Sequence, residues 1–217
     1  MRERNGKMQT PVSPYFFASF VALGVLGWIA LSIVAAPADE PMFHFGESGA
    51  VTALSTVFMA MSSALALAVF YLRMDDWKVG AWFWLLLAAA FAFLAIDEQL
   101  MLHERGGNVL ETSALGPSET FRNWNDLIVI SYGIAALAIA ALAVREILKS
   151  RTFALLFATA FAFYAIHTGL DSLLPSELAW KDVPEESAKL LCALFLFLAL
   201  CARFLDLADR MQRPDPR

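Results

Sequence analysis

The sequence predicts an all-α protein, a polytopic transmembrane bundle of about six helices that occupies residues 1–217 as one domain. Hydrophobic residues make up 59% of the 217 and charged residues only 17%, whereas a soluble domain has about 25% charged residues. Six apolar stretches are long enough to cross a bilayer, which takes about 17–25 residues. The links between them are short, so we expect no separate soluble domain and a chain that lies in a lipid bilayer.

Each predicted span has a local reason for its limits. The six cover residues 15–36, 50–72, 79–102, 127–144, 153–174 and 188–204. The first is longer than the roughly 7–15 apolar residues of a signal peptide, so we expect it to remain a membrane helix. The second opens after Glu47, and the third is followed by Gly106-Gly107, a helix-stop signal. Basic residues separate the fourth span from the fifth, and Glu185-Glu186 begins the sixth, because a helix N-terminus favours negative charge.

The basic residues predict the orientation of the bundle. Twelve of the 16 Lys and Arg lie near the two chain ends and in the links that follow the second and fourth spans. Positive residues stay on the cytoplasmic side of a membrane, so both termini are predicted to be cytoplasmic, in a bacterial inner membrane. At the inner interface this orientation places Trp77, Trp82 and Trp84, and at the outer interface it places Trp124 and Trp180, as an aromatic belt requires.

Acidic residues and histidines concentrate on the opposite, outer side. That side holds 14 of the 21 Asp and Glu and all three His. Such a surface disfavours nucleic acid as a partner, because nucleic-acid binding needs a basic surface, and it suits cations. Asp97, Glu98, His167 and Asp171 lie within predicted spans, where one ionisable group costs roughly 2.5–3.5 kcal/mol by insertion measurements. Residues kept there at that cost are candidates for function.

The third predicted span ends in a cluster of acids with a histidine. Asp97 and Glu104 are seven residues apart and share one helix face, with a mismatch of about 20°, while Glu98 points to the neighbouring side. His103 lies off the Asp97 stripe of a regular helix. We expect it to join that stripe only if the last turn unwinds before Gly106-Gly107.

Three other helices are predicted to present ligands at the same membrane level. In the fifth span, His167 and Asp171 are four residues apart and stack on one face. That spacing suits an Asp-oriented imidazole or two ligands of one metal ion. The remaining acids stand at helix starts and are Glu47, Glu185 and Glu186. Mixed carboxylate and histidine ligands suit Zn, Fe or Mn.

Each of these groups also has a purely structural interpretation. The helix-start acids can serve only their helix N-termini. The His167-Asp171 pair can be a hydrogen-bonded pair that fixes helix packing, and Asp97-Glu98 can pair with Arg105 or Lys189. The convergence of four helices at one level favours a site more than any single group does.

Two resemblances rest on these motifs. Leu-Ala-Ile-Asp97-Glu98 with His103-Glu104, Gly-Glu47 and Glu185-Glu186 resembles a group of bacterial multi-pass proteins of undefined function over nearly the whole chain. Ile-Asp97-Glu98-Gln-Leu-Met-Leu also resembles the Asp-Glu helix of alkaline ceramidases, which are CREST-type membrane metallohydrolases. That resemblance implies that Asp97 holds a zinc ion or its water together with histidines of other helices. The chain departs from the pattern in having six spans rather than seven, and Asp171 where a final His-x3-His has its second histidine.

The leading hypothesis is a metal-dependent hydrolase of a lipid or amide whose site opens to the periplasm. Its ligands to Zn, or to Fe or Mn, would be Asp97, His103, His167 and Asp171, together with the acids at helix starts, and Glu98 or Glu104 would be the base on metal-bound water. The alternatives are a transporter or an accessory subunit of a larger membrane complex, since intramembrane acids also serve ion pathways. Haem binding by His103 and His167 is a third option. The expected partners are the bilayer and a lipid substrate or a membrane protein.

Overall fold

A computed structural model of the protein describes residues 14–74, 79–113, 116, 124–174, 178 and 180–212. Within these residues the chain forms α-helices joined by turns and loops. The helices are α1 (Pro14–Ala35), α2 (Ala50–Leu72), α3 (Val79–Leu100), α4 (Leu102–Thr112), α5 (Trp124–Leu142), α6 (Val144–Ile147), α7 (Arg151–Leu173) and α8 (Asp182–Gln212). Six of them, α1, α2, α3, α5, α7 and α8, are long and apolar enough to cross a membrane. The predicted all-α bundle of six spans is confirmed, and the side on which the termini lie stays a prediction.

The third span does not end as expected. Its helix stops at Leu100, because Met101 adopts the left-handed conformation with φ 51° and ψ 44°, which is uncommon for a residue other than glycine. The new helix α4 then runs straight through Gly106 and Gly107, so the prediction that this pair stops the helix is wrong. The glycines allow α5 to approach: a Cβ on Gly107 would lie 1.6 Å from the Asn125 Oδ1 atom.

The sixth span is much longer than predicted. Helix α8 covers 31 residues rather than 188–204. At its start Glu186 accepts a hydrogen bond from Thr52 of α2, and beyond residue 204 Asp206 pairs with Arg203 and Arg210 within the same helix. Its middle is the centre of the bundle: Leu190, Ala193 and Leu194 are fully buried, and α8 packs against both α2 and α7. The fourth predicted span, 127–144, is divided between α5 and the short α6.

Helix α5 is loosely packed against its neighbours. Only Asp126 and Gly133 are buried along its length. It is tied to α7 by the Tyr164 hydroxyl, which donates a hydrogen bond to the Val129 carbonyl at 2.5 Å. Toward α3 its Tyr132 ring makes an edge contact with Phe93, with centroids 5.6 Å apart. This loose packing leaves a cavity inside the bundle.

Candidate functional site

One cavity collects the residues that the sequence nominates. It has a volume of about 540 Å³ and lies among α3, α5, α7 and α8. Its wall includes all nine predicted site residues: Glu47, Asp97, Glu98, His103, Glu104, His167, Asp171, Glu185 and Glu186. They lie where α2 and α8 begin and where α3 and α7 end, which we call the acidic end of the bundle. Their assignment as metal ligands or bases stays a prediction.

Asp97 and His103 form the best-defined polar pair in the cavity. Asp97 is only 4% exposed. Its Oδ1 atom accepts a hydrogen bond from the His103 backbone N–H at 2.8 Å, and its Oδ2 atom lies 3.1 Å from His103 Nδ1. The left-handed Met101 makes this possible, since it turns the chain so that a residue six positions on comes back over Asp97. A neutral His103 therefore carries its proton on Nδ1, and Nε2 is left as the basic atom.

Lys189 sits between two of the predicted acids. Its Nζ atom lies 2.6 Å from Glu98 Oε1 and 2.6 Å from Glu186 Oε1. The Thr52 hydroxyl donates a further hydrogen bond to Glu186 Oε2 at 3.1 Å. This is the ion-pair alternative for Glu98 that the sequence left open, and it takes up carboxylate oxygens that a metal ion would need.

His167 and Asp171 both lie on the cavity wall, and their pairing stays a prediction. The Asp171 Oδ1 atom accepts a hydrogen bond from Lys181 Nζ at 3.0 Å, and Lys181 Nζ also lies 3.4 Å from Glu185 Oε2. The His167 Nδ1 atom is buried and has no hydrogen-bond partner within the described part of the chain. A buried polar atom without a partner is unusual in a folded protein, and His167 lies on the cavity wall.

Glu47 and Glu104 contact each other on the cavity wall. Burial raises the pKa of the Glu47 carboxyl, and the hydrogen bond that it donates to Glu104, together with the negative charge of Glu104, raises the pKa further, to about 7, although the charge of Lys189 lowers it. Two carboxyl groups in contact cannot both ionise easily. The Glu47 carboxyl therefore takes up a proton at a higher pH than an ordinary glutamate does.

The residues at the acidic end do not fit a metal ion in this arrangement. A zinc ion needs about four ligand atoms at roughly 2.0–2.3 Å from one point. Both oxygens of Asp97 are engaged by His103, and Glu98, Glu186 and Asp171 each contact a lysine. Among the residues that the structure describes, no group of three or more His, Cys, Asp or Glu is placed to hold a metal ion. The predicted Zn, Fe or Mn therefore stays a prediction that these distances do not support.

Beyond its polar mouth the cavity is apolar. Its deeper wall is formed by Phe83, Leu87, Phe91, Ile139, Phe157 and Phe161. Along α7 the lining runs from Asp171 down to Phe157, a distance of 14 residues or about 21 Å at 1.5 Å per residue. Half of a hydrocarbon core is about 15 Å thick. The cavity is thus amphipathic and as deep as a membrane leaflet, which suits a ligand with a polar head and an apolar chain.

Sequence reasoning missed part of this lining. Lys189 was expected only as a possible ion-pair partner of Asp97-Glu98, and Lys181 was not expected at the site. Each nevertheless stands three or four residues from a glutamate of α8, the spacing at which helical side chains meet. Tyr132 and Tyr164 also line the cavity. No spacing points to the tyrosines, because their positions depend on contacts between helices.

A second charged group lies at the opposite end of the bundle, and we call it the Glu146 cluster. The Glu146 carboxylate contacts Arg73 at 3.3 Å, Lys149 at 2.5 Å and Arg203 at 3.1 Å, and it accepts a hydrogen bond from Trp84 Nε1 at 3.3 Å. Burial raises the pKa of Glu146, but the hydrogen bond from Lys149, the charge of Arg73 and the Trp84 bond outweigh it and hold the pKa below its ordinary value.

The comparisons with known proteins give a family but no activity. A model of one family matches residues 21–204, and its description is a domain of unknown function, DUF8692. No similar curated protein and no similar solved structure was found. The match agrees with the resemblance to multi-pass proteins of undefined function and does not bear on the resemblance to alkaline ceramidases. Because it covers most of the chain, the protein belongs to the DUF8692 family.

Proposed function

We propose that this integral membrane protein hydrolyses an ester or amide bond of a lipid or another amphiphile, with His103 as the general base. The observation that carries the proposal is the Asp97–His103 pair, in which both carboxylate oxygens hold one histidine on the wall of an amphipathic cavity. An imidazole fixed in one orientation by a carboxylate is the arrangement that general-base catalysis uses.

The chemistry follows from the fixed tautomer. His103 Nε2 takes a proton from water as the water oxygen attacks the carbonyl carbon, and Asp97 stabilises the imidazolium that forms. The same Nε2–H then protonates the leaving alkoxide or amine as its bond to carbon breaks. The products are a carboxylic acid and an alcohol or an amine, and no oxidant or other co-reactant is consumed.

His103 suits the role of base better than the two glutamates predicted for it. The Glu98 carboxylate is 2.6 Å from the Lys189 ammonium, and the Glu104 carboxyl is hydrogen-bonded to Glu47. A carboxylate held by a cation is a weak base, because taking up a proton would leave the cation unpaired.

A transport function is supported less well. A proton or cation path would need polar groups along the whole bundle. Here the cavity wall becomes apolar below His167, and toward the Glu146 cluster it ends at Phe83 and Phe157. The role of an accessory subunit remains the alternative, and the absence of any turnover would favour it.

The test is turnover of a lipid mixture by the purified protein. Total membrane lipid is incubated with wild type, with His103→Gln and with Glu111→Gln, and released fatty acids and amines are measured. Glu111 is the matched control, because it lies on α4 beside the site but outside the cavity lining. We expect His103→Gln to lose about 10²–10⁴-fold in rate, the usual contribution of a general base, and the control to keep full activity.

Two outcomes would contradict the proposal. If the wild-type protein releases no fatty acid or amine from any lipid fraction, the hydrolase function is contradicted and the role of an accessory subunit is favoured. We also expect turnover to survive a chelator, since no step passes through a metal. If turnover is lost with the chelator and restored by zinc, the predicted metal site would be supported instead.

A further inference from the structure

We infer that the cavity binds an amphiphile with a cationic ammonium head group, with the head among the carboxylates of the acidic end and the chain in the apolar part below. The inference rests on the amphiphile of the proposed function but not on its hydrolysis. It names the chemical class of the ligand, which the Asp97–His103 pair alone does not.

The charges on the cavity wall select the sign of the head group. Among the residues that the structure describes, nine acids line the cavity: Glu47, Asp97, Glu98, Glu104, Asp126, Asp171, Asp182, Glu185 and Glu186. The described lining includes two lysines, Lys181 and Lys189, and both already contact acids of the wall. The carboxyl groups of this wall outnumber its two ammonium groups. A phosphate or carboxylate head group would therefore be repelled, whereas an ammonium group would be attracted.

An unsatisfied acceptor points to the same ligand. The His167 Nδ1 atom is buried, has no hydrogen-bond partner among the described residues and belongs to the cavity wall. His167 lies one helical turn below Asp171, between the acidic mouth and the apolar part. The N–H of an amine or amide placed there would donate to this nitrogen, and the buried atom would gain the partner that it lacks.

The bundle surface offers such a ligand a way in from the bilayer. Phe93 of α3 and Ala136 of α5 both line the cavity, yet Phe93 is 44% exposed and Ala136 is exposed as well. These exposures indicate that the cavity opens sideways between α3 and α5 at the level of the hydrocarbon. A chain already in the membrane can pass through that opening without leaving an apolar environment.

The experiment compares amphiphiles of one chain length and different head groups. Protein in a neutral maltoside detergent is titrated with dodecylammonium, dodecanol and dodecanoate, and binding is followed by calorimetry and by the rise in melting temperature. We expect dodecylammonium to bind at least about tenfold more tightly than the other two. Equal binding of dodecanoate would overturn the inferred head group. Propylammonium provides the short-chain arm, and if it binds as tightly as dodecylammonium, the ligand is a soluble amine and the amphiphile is overturned.

Paired variants locate the two ends of the ligand. The double variant Glu47→Gln with Glu104→Gln should weaken dodecylammonium binding by about tenfold or more, while Glu111→Gln, on the same helix as Glu104, should not. Ala136→Trp should fill the apolar part and block binding, whereas Ala138→Trp, two residues on and outside the lining, should leave it intact. Binding that survives Ala136→Trp and the double variant would overturn the assigned site.

The same titration on His103→Gln, which keeps every acid of the wall, separates this inference from hydrolysis. That variant is expected to lose turnover but still to bind dodecylammonium. If wild type binds dodecylammonium but hydrolyses no lipid, hydrolysis is contradicted and the inferred ligand is supported. If wild type hydrolyses lipids but does not prefer dodecylammonium, the inferred ligand is contradicted and hydrolysis is supported.

Discussion

The two ends of the bundle both bury ionised side chains, and they use them in opposite ways. In the Glu146 cluster one carboxylate receives three cations, Arg73, Lys149 and Arg203. At the acidic end, nine acidic side chains surround two lysines. In the Glu146 cluster, the cations around one acid hold the helices together. At the acidic end, the excess of acids around a cavity provides space and negative charge for a ligand.

Packing around the two sites differs in the same sense. Arg203 is 1% exposed, and its guanidinium lies 5.7 Å from the centre of the buried Trp84 ring. A Cβ on Gly80 would lie 2.6 Å from Glu146 Oε2, so no space remains beside the carboxylate. The acidic end encloses about 540 Å³ instead. We therefore expect substitutions in the Glu146 cluster to affect stability, and those at the acidic end to affect binding and turnover.

The largest loss of stability is expected from Glu146→Gln. The variant leaves the arginines of the cluster without their shared carboxylate, and removing one partner of a buried ion pair costs about 3–5 kcal/mol. Melting temperature and yield in detergent measure the loss. Asp206→Asn is the matched control, because Asp206 also contacts Arg203 at 3.0 Å but is partly exposed, and it should cost less than about 1 kcal/mol. If Glu146→Gln and Asp206→Asn are equally stable, the Glu146 cluster does not have the stabilising role that distinguishes it from the acidic end.

A smaller loss is expected from Gly107→Ala. The added methyl group would lie 1.6 Å from Asn125 Oδ1 and 2.8 Å from the Asn125 backbone nitrogen. The backbone contact requires α4 and α5 to separate, and overpacking of this kind costs about 1–3 kcal/mol. Gly27→Ala in α1 is the control, since a Cβ there meets nothing within 4 Å. A Gly107→Ala protein as stable as the control would show that the glycine pair does not serve the contact between α4 and α5.

The smallest expected effect is a pH dependence of opposite sign at the two ends. The folded pKa of Glu47 is raised from 4.5 to about 7, so the folded state keeps a proton that the unfolded state loses, and stability falls as the pH rises from about 4.5 to 7. Glu47 is partly exposed, so the change should be about 0.5 kcal/mol. The folded pKa of Glu146 is lowered, so its contribution is lost only as the pH falls below 4.5. The Glu47→Gln variant should lose the decrease in stability between pH 4.5 and 7. It should keep the decrease in stability below pH 4.5 that Glu146 causes.

The orientation of the two ends can be checked independently. The asymmetry of basic residues predicts that the Glu146 cluster faces the cytoplasm. A reporter that is active only in the cytoplasm, fused after Arg217, should therefore be active. An inactive reporter, together with activity of its periplasmic counterpart, would place the acidic end on the cytoplasmic side.

Sequence patterns predict some of this architecture and miss the rest for identifiable reasons. The six spans follow from hydrophobicity, which depends only on local composition. The nominated acids meet around one cavity because acids that a bilayer disfavours must face the interior. The contact between Asp97 and His103 depends on the left-handed Met101, whereas the sequence placed the break at Gly106-Gly107. No local pattern marks that conformation at a methionine.

The Glu146 cluster was missed for another reason. Its cations come from α8 and from the residues beside α2 and α6, which are far apart in the sequence. Arg73, Lys149 and Arg203 were used as signals of orientation, and that use is compatible with their ion pairs. Only the packing of the helices shows that these residues converge on one carboxylate.

Asp97 is proposed to serve catalysis through His103 rather than stability, and turnover by the Asp97→Asn variant distinguishes these two roles. The substituted asparagine keeps the shape of the side chain, but its amide would donate to His103 Nδ1 and move the imidazole proton to Nε2, which removes the base. We expect the turnover rate of Asp97→Asn to be about 10²–10⁴-fold lower than that of wild type, while its melting temperature stays nearly that of wild type. Unchanged turnover in a folded Asp97→Asn protein would contradict it.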